Sequence, residues 1–437
     1  MPESKPISMR YGQDGIKLLL PASTVVLEGE NIQALSNPAT AVREALANPI
    51  RSLPLSELLA MRKPRTVAIT ISDITRSVPN RDFLPEILRT VNEAGIEDNR
   101  IVIIIGTGMH RPSTAAEQEF LVGREILDRI EVIDHRADDS ATLVRVQENP
   151  PISVCSRFAQ ADFRIVTGFI EPHFMAGFSG GRKGVCPALV DLETVQRFHG
   201  YKTMADPRAD TGTLANNPCH EIALNIAKTV GVDFLFNVAV TRDHRMAGIY
   251  CGDLEAAHQQ GCKQVAEWTT AWIDRPFDLV VTNGGGYPLD QTFYQTVKGM
   301  CTALPALGKN STLLQVSQCA EGLGSDTYTK MMLQYNNDWP RFLEDIEASQ
   351  NETRLDQWEY QMQTRVLNRI GLNKLWFVSD GIPQEMQQHI SVTPILGQSS
   401  ARERAQKAID RYIEANPNAR IAVIPEGPYT LLRRLQN

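Results

Sequence analysis

The sequence predicts an α/β fold, because short apolar runs typical of buried strands alternate with amphipathic stretches typical of helices. Strands that are apolar on both faces belong to parallel sheets with helices on either side. A proline-containing break at residues 274–277 separates two series of such units. We therefore predict two domains, residues 1–274 and 277–437, each with a mostly parallel, Rossmann-like sheet, and an active site in the cleft between them.

Strands and helices alternate in both series. The predicted strands of the first series are Thr66–Ile71, Ile101–Ile105, Ile130–Ile133 and Phe163–Phe169. Its predicted helices are Asp82–Ala94, Ala115–Leu127 and residues 253–272. The predicted strands of the second series are Leu279–Thr282, Thr312–Val316, Leu375–Val378 and Ile421–Ile424. Its predicted helices are Gln291–Leu304, Arg354–Ile370 and Ala401–Ala415.

The composition excludes several classes of function. The chain has 437 residues, and its 42% hydrophobic and 22% charged residues are typical of a soluble globular protein. The formal net charge of −7 argues against general binding to nucleic acid or to an anionic membrane. The seven cysteines include no Cys-x-x-Cys pair, and neither a signal peptide nor a membrane-spanning run is evident. We therefore expect a cytoplasmic protein with reduced thiols.

Polar or glycine-rich residues follow four of the predicted strands. These residues are Asp73, Thr75 and Arg76 after the first strand, His110 after the second, His173 after Phe163–Phe169, and Asn283 with Gly284–Gly286 in the second domain. Ligands of parallel α/β sheets bind beyond the carboxyl ends of the strands. The four strand exits therefore predict one shared site.

A loop of small residues that ends in a lysine follows the strand Phe163–Phe169. Gly180 and Gly181 allow backbone N–H groups to approach an anionic ligand closely, and Lys183 adds either a charge or a nucleophilic amine. The loop is not a Walker A sequence, because Gly184 follows the lysine. The alternative interpretation is a tight turn with a surface lysine.

Three histidines are candidates for chemistry. His110 and His173 end different strands, so they suit a reaction that needs a base on either face of a ligand, although a lone loop histidine is often inert. His199 lies in the predicted helix Asp191–Tyr201 without a second histidine at metal-binding spacing. A metal bound there needs ligands that the sequence does not show.

Two further groups suit the binding of a carboxylate substrate. Arg76 can hold a carboxylate through two hydrogen bonds, although Asp73 or Thr75 is also a candidate for a simple helix N-cap. Gln295 and Lys298 share one face of a helix that we expect Asp290 to cap. A solvated polar face is the alternative for this pair.

Taken together, these segments resemble the nickel-dependent lactate racemase family, whose members use a nickel-pincer nucleotide. The matching segments follow the family order and are Asp73–Arg76 with Pro79, Gly106–Pro112, Pro172–His173, Gly177–Lys183, His199, Gly285–Pro288, Tyr294–Gln295, Val297–Gly299 and Trp358. They span residues 66–360.

The resemblance implies a cofactor in the N-terminal domain. This is a nickel ion bound to pyridinium-3-thioamide-5-thiocarboxylic acid mononucleotide, held covalently by Lys183. The nucleotide would give nickel two sulfurs and a carbon, and His199 would be the fourth ligand. The residues that would line or support the cofactor pocket are Asp73, Thr75, Gly180, Gly181 and Trp358.

The resemblance also implies the reaction, which is inversion of a 2-hydroxy acid at C2 by a racemase or epimerase. A hydride would move reversibly to the pyridinium ring through a planar 2-keto acid. His110 and His173 would be the acid/base pair, and the substrate would be held by Arg76, Tyr294, Gln295 and Lys298. The implied partners are a small 2-hydroxy acid and the enzymes that make the cofactor.

Three departures from the family pattern leave the substrate open. Ser77 replaces a usual proline, Ala188 replaces a usual glycine, and Gln318–Gly322 matches its family segment loosely. Lactate, malate, aromatic lactates and sugar acids all remain candidates, and a homo-oligomer is also open. The alternatives are a nicotinamide-dependent 2-hydroxyacid oxidoreductase, for which we find no convincing Gly-x-Gly-x-x-Gly turn, and a non-catalytic paralogue that only binds the nucleotide.

Overall fold

The computed structural model describes residues 3–435 and confirms the α/β fold, with two six-stranded sheets. The strands up to residue 273 are β1 Ser4–Met9, β2 Ile16–Pro21, β3 Val25–Val26, β4 Val67–Ser72, β5 Ile101–Gly106, β6 Glu131–Asp134, β7 Leu143–Glu148, β8 Pro151–Cys155, β9 Phe163–Phe169, β10 Pro172–His173, β11 Gly177–Phe178, β12 Phe234–Val240, β13 Met246–Gly252 and β14 Thr270–Ile273. The helices are α1 Pro38–Ala47, α2 Leu55–Arg62, α3 Asn80–Glu93, α4 Ala115–Val122, α5 Arg124–Leu127, α6 Ser156–Ala159, α7 Leu192–Phe198, α8 Tyr201–Ala205, α9 Pro218–Val230 and α10 Leu254–Thr269.

The second part of the chain repeats the alternation. Its strands are β15 Phe277–Asn283, β16 Leu307–Val316, β17 Leu375–Val378, β18 Thr393–Pro394, β19 Ile421–Val423 and β20 Leu431–Arg434. Its helices are α11 Phe293–Thr302, α12 Asp326–Tyr335, α13 Trp339–Ala348, α14 Gln357–Ile370, α15 Gln384–Gln387 and α16 Ala401–Ala415. The predicted strands of both series are present, with shifts of a few residues at their ends.

The first sheet has the strand order β13-β12-β9-β4-β5-β6, and only the β12–β13 pairing is antiparallel. Alternate residues of β4 pack into different hydrophobic clusters, with Ala68 on one face and Val67 and Ile69 on the other. This strand is therefore buried on both faces, as its continuous apolar sequence predicts. The chain order reverses between β4 and β9, which marks the place where ligands of such sheets bind.

The second sheet has the order β18-β17-β16-β15-β19-β3, and all of its pairings are parallel. Its edge strand β3 comes from the start of the chain, and the hairpin of β1 and β2 packs against α16 through the same hydrophobic cluster as β15. Sequence analysis did not identify this crossover, because the hairpin precedes the first clear α/β unit. The division into domains 1–274 and 277–437 stays a prediction. Strand β3 belongs to the first range by sequence but pairs with β19 of the second.

Helix α14 joins the two parts of the molecule through polar contacts. Arg365 donates hydrogen bonds to the backbone oxygens of Met204, Asp206 and Ala209, and Gln361 donates to the backbone oxygen of Tyr201. These contacts hold the middle of α14 against α8 and the residues that follow it. Among the described residues, no helix is both long and apolar enough to cross a membrane.

Candidate active site

A cavity of about 170 Å³ lies at the carboxyl ends of β4, β5 and β9 and is closed by α11 and α14. Twelve of the thirteen predicted site residues line it, namely Asp73, Thr75, Arg76, His110, His173, Gly180, Lys183, His199, Tyr294, Gln295, Lys298 and Trp358. The exception is Gly181, whose backbone N–H donates to Asn237 Oδ1 at 2.7 Å. The structure therefore brings together residues that are up to 285 positions apart in the chain.

Asp73 orients His110 at one side of the cavity. Its Oδ2 lies 2.7 Å from His110 Nδ1, and its Oδ1 accepts a hydrogen bond from the Thr75 hydroxyl at 2.6 Å. Burial disfavours ionisation of Asp73, but the contacts with His110 and Thr75 outweigh it and lower the pKa of the carboxyl group. The carboxylate accepts the hydrogen on Nδ1, so in the neutral tautomer Nε2 offers a lone pair. Asp73 and Thr75 are not helix caps, because α3 begins only at Asn80.

His173 has the opposite hydrogen-bonding pattern. Its Nδ1 lies 3.2 Å from the backbone nitrogens of both Met175 and Ala176, so it accepts hydrogen bonds and carries no hydrogen. The hydrogen of the neutral ring is therefore on Nε2, which lies 3.3 Å from Lys183 Nζ. Burial, together with the charge of Lys183, holds the pKa of His173 well below its usual value. His173 can accept a proton at Nε2 only after these two backbone contacts open and Nδ1 gains the hydrogen.

Lys183 is a half-buried lysine that lines the cavity and has no carboxylate partner within ion-pair distance in the described part of the chain. Burial lowers its pKa to about 7, and the nearby charge of Arg182 adds to the effect. A substantial fraction of the amine is therefore neutral near pH 7. A neutral amine is nucleophilic, whereas an ammonium is not. The lysine thus lines the cavity, which favours the ligand-binding interpretation of this loop over a tight turn with a surface lysine.

Arg182 holds the loop that carries Lys183. Its guanidinium is 1% exposed and donates to the backbone oxygens of Ala176, Phe178 and Gly180, and it lies 3.0 Å from His258 Nε2. Sequence analysis missed this role, because an arginine next to glycines suggests an exposed side chain. The loop is therefore fixed by its own carbonyl groups before any ligand binds.

Packing explains Gly180 and Gly181 better than ligand approach does. Both have positive φ, at 75° and 55°. A Cβ at Gly180 would lie 2.7 Å from Asn237 Oδ1, and one at Gly181 would lie 2.5 Å from His258 Cγ. Larger residues would thus clash with the protein itself.

His199 is the C-cap residue of α7, and it lines the same cavity. Its Nδ1 donates to the backbone oxygen of Val195 at 2.9 Å, which leaves the lone pair of Nε2 free. Its ring stacks on Trp358 with centroids 4.4 Å apart, and Trp358 Nε1 donates to the Tyr294 hydroxyl at 2.7 Å. Burial lowers the pKa of His199 to about 3, so the ring stays neutral. This is the tautomer and charge state that a metal ligand requires.

Lys298 and Arg76 bring positive charge to the other end of the cavity. Lys298 Nζ lies 5.9 Å from the centroid of the Phe174 ring, and Arg76 Nη1 lies 3.9 Å from Glu171 Oε1. Burial, followed by repulsion from Arg76, lowers the pKa of Lys298 to about 7. Two cations that approach from different sheets suit a bound carboxylate.

Two buried acids in this region were not identified from the sequence. Glu359 lines the cavity beside Trp358, and burial raises its pKa to about 8. Glu171 contacts Arg76, and burial raises the pKa of its carboxyl group. Each acid is next to a residue of the family segments, since Glu171 precedes Pro172 and Glu359 follows Trp358. This position was the only feature of the sequence that could have indicated either acid.

The fourth strand exit does not reach the cavity, contrary to the sequence prediction. Asn283 donates to the backbone oxygens of Ile424 and Pro425, and it accepts from the backbone nitrogen of Gly285. These contacts fix the turn after β15, and α11 delivers the cavity residues instead. Asp290 was also assigned wrongly, because Thr292 caps α11 while Asp290 accepts from the backbone nitrogen of Gly12.

The protein's own side chains do not form a metal site. Within residues 3–435, no group of three or more histidine, cysteine or carboxylate side chains could hold a metal ion. All seven cysteines are buried and free. Any metal at His199 must therefore bring most of its ligands with it.

Comparison with known proteins gives consistent matches along the chain. Family profiles for the lactate racemase N-terminal domain and C-terminal domain match residues 11–212 and 273–431. A lactate racemase from Thermoanaerobacterium thermosaccharolyticum is 31% identical over 90% of both chains. A lactate racemase from Lactiplantibacillus plantarum is 34% identical over 88% of this chain and 89% of the relative.

Solved structures agree with these matches. The lactate racemase apoprotein from Thermoanaerobacterium thermosaccharolyticum superposes with a TM-score of 0.86 at 29% identity, covering 98% of this chain and 100% of that chain. A Thermotoga maritima protein shares the fold, with a TM-score of 0.67 at 16% identity over 94% of this chain and 100% of that chain. The chain therefore belongs to the lactate racemase family and is a racemase, an enzyme of the isomerase class.

Proposed function

We propose that the protein inverts C2 of a 2-hydroxy acid with a nickel-pincer nucleotide bound to Lys183. The observation that carries this proposal is that one cavity holds both a half-buried, partly neutral Lys183 amine and a free lone pair on His199 Nε2. The first group suits covalent attachment, and the second suits a metal that arrives with its other ligands. When bound, the nucleotide supplies a hydride acceptor, so that the C2 alcohol and a planar 2-keto acid can interconvert.

The residues around this cavity fit such a group. His199 would be the protein ligand to nickel, and its contact with Val195 fixes the tautomer. Trp358 stacks on the His199 ring and limits its rotation. Because the described residues offer no competing metal cluster, nickel would bind only together with the nucleotide.

His110 and His173 would exchange the hydroxyl proton. His110 presents a lone pair at Nε2, since Asp73 holds the hydrogen on Nδ1. His173 presents an N–H at Nε2. The free protein therefore offers one proton acceptor and one hydrogen-bond donor to the cavity. Inversion requires one ring to take the hydroxyl proton on one face and the other ring to return a proton on the opposite face, so each turnover uses both rings. The ring that returns the proton must be an imidazolium, because a neutral imidazole does not give up its remaining N–H proton near pH 7. His173 would therefore donate only after its Nδ1 gains a hydrogen.

Arg76 and Lys298 would bind the substrate carboxylate, and Gln295 and Tyr294 would contact the rest of the acid. Charge-assisted hydrogen bonds of this kind contribute about 1.5–3 kcal/mol each. A fixed carboxylate also restricts C2 to positions between the two histidines. This restriction matters because a small misplacement of the reacting atom lowers the rate strongly.

The experiment that tests this proposal follows the C2 hydrogen during inversion in deuterated water. The protein is co-expressed with cofactor-making enzymes, and cofactor loading is verified by intact mass and nickel content. We expect inversion with little deuterium at C2, because a transferred hydride returns to the same carbon. Full solvent exchange at C2 would point to proton abstraction, and turnover that requires added NAD would point to an ordinary oxidoreductase. A loaded protein that inverts no acid would be a non-catalytic paralogue.

The titration of Lys298 gives a prediction for substrate binding. Its pKa is about 7 in the free protein, so the ammonium is present below that pH and is lost above it. We expect kcat/KM to fall above pH 7, mainly through KM, approaching about tenfold per pH unit for a single ionisation. The matched variant Lys298→Arg keeps its charge and should lose this fall. The same alkaline fall in Lys298→Arg would assign it to another group.

A further inference from the structure

We propose that Glu359 is a specificity residue that bonds a hydroxyl beyond C2, so that the substrate is a 2-hydroxy acid with further hydroxyl groups. This inference rests on the proposed function and narrows its substrate class. The observation is a buried oxygen atom, Oε1 of Glu359, that lines the cavity and has no hydrogen-bond partner in the described structure.

Glu359 is held in place by its position in α14 and not by hydrogen bonds of its carboxyl group. It lies in the first turn of α14, it is 2% exposed, and its neighbour Trp358 is fixed by Tyr294 and His199. Within residues 3–435, no cation lies within ion-pair distance of Glu359, although Lys298 is close enough to influence its pKa. Three glutamines of α14 also carry a buried polar atom without a partner, but of these four residues only Glu359 lines the cavity, so a ligand in the cavity is its expected partner.

A second hydrogen-bond acceptor in the same cavity also lacks a partner. Gln295 Oε1 is buried and has no hydrogen-bond partner in the described part of the chain. The nearby Tyr294 hydroxyl already accepts from Trp358. The cavity therefore has at least two oxygen atoms, on Glu359 and Gln295, that can accept hydrogen bonds from a ligand.

The candidate acids differ in what they offer these acceptors. Lactate has one hydroxyl, and its proton is the one that the histidines exchange. Malate would bring a second carboxylate toward Glu359 and Glu171, and an aromatic lactate would place an apolar ring against buried oxygens. An acid with hydroxyls at C3 or C4 supplies the donors without added charge.

The protonation of Glu359 is compatible with this role. Burial raises its pKa to about 8, so the carboxyl group is mostly neutral at pH 7. A neutral carboxyl group both donates and accepts, which suits a hydroxyl. It also avoids repulsion of the substrate carboxylate held by Arg76 and Lys298.

The test compares acids that share a carbon skeleton. Loaded enzyme is assayed for inversion of lactate against glycerate, and of 2-hydroxybutanoate against 2,3,4-trihydroxybutanoate. We expect the hydroxylated acid of each pair to have a kcat/KM about tenfold to a hundredfold higher. The ratio within a pair does not depend on the fraction of loaded enzyme.

Two variants assign the preference to Glu359. Glu359→Met removes the hydrogen bond at similar volume and should bring the ratio close to one, whereas Glu359→Gln should keep most of it. Equal use of both acids by the natural protein would overturn the inference while leaving the racemase proposal intact. An equal loss with both acids in Glu359→Met would also overturn it and make Glu359 a positioning residue for Lys298. Failure to invert any acid would overturn both proposals.

Discussion

Lys183→Ala should carry no covalent nucleotide and show no racemase activity. The Lys183 amine lies 3.3 Å from His173 Nε2 in the cavity, and its pKa of about 7 leaves a fraction of it neutral and nucleophilic at neutral pH. The adjacent Arg182 cannot replace it, since its guanidinium is bound to backbone oxygens. Intact mass after co-expression with cofactor-making enzymes measures the adduct directly, and a chiral assay measures the activity.

Controls separate attachment from folding and from metal binding. Desolvation and the charge of Arg182 disfavour the Lys183 ammonium in the folded protein, so Lys183→Ala should not lower the thermal unfolding midpoint. His199→Ala should retain the adduct on Lys183 but lose nickel, as measured by elemental analysis. A fully active Lys183→Ala protein would refute covalent tethering, and normal nickel content in His199→Ala would refute the assignment of the metal ligand.

The sheets were predictable because their signal is local. Strands such as β4 and β5 are continuous apolar runs, and burial on both faces leaves few other conformations for them. The β1–β2 hairpin and β3 were not predictable in the same way. They pack on the second sheet after a long separation in sequence, and nothing in their own residues indicates which sheet they join.

The candidate site was predictable in the same way where local sequence determines it, and not where it depends on distant contacts. Some of the site follows from the strand order alone. The segments after the strands carry His110, His173 and Lys183, and these segments meet at one edge of the sheet whatever their exact loop conformation. Their hydrogen-bonding states depend on neighbours that no motif indicates, such as the backbone nitrogens of Met175 and Ala176. Glu359 is buried where α14 packs between the second sheet and the first part of the chain, so the pattern of a single domain could not reveal it.

Replacing either His110 or His173 with alanine should stop interconversion in both directions. The proton leaves on one face and returns on the other, so one missing ring blocks half of every turnover. The loss of a general acid or base typically lowers the rate about 10²–10⁴-fold. Intact mass and nickel content should stay normal in His110→Ala, because its ring contacts Asp73 and not Lys183.

A single-turnover experiment distinguishes the two rings from residues that merely shape the cavity. Each variant keeps one functional face, so it should still oxidise one enantiomer to the 2-keto acid, and the two variants should prefer opposite enantiomers. Trapping the keto acid with a hydrazine reagent measures this preference. Asp73→Asn is the matched control, because it keeps the shape but loses the carboxylate that fixes the His110 tautomer, so its preference should follow that of His110→Ala. Interconversion at the natural rate by either alanine variant, with normal cofactor content, would contradict the two-histidine assignment, and equal oxidation of both enantiomers would contradict the assignment of one ring to each face.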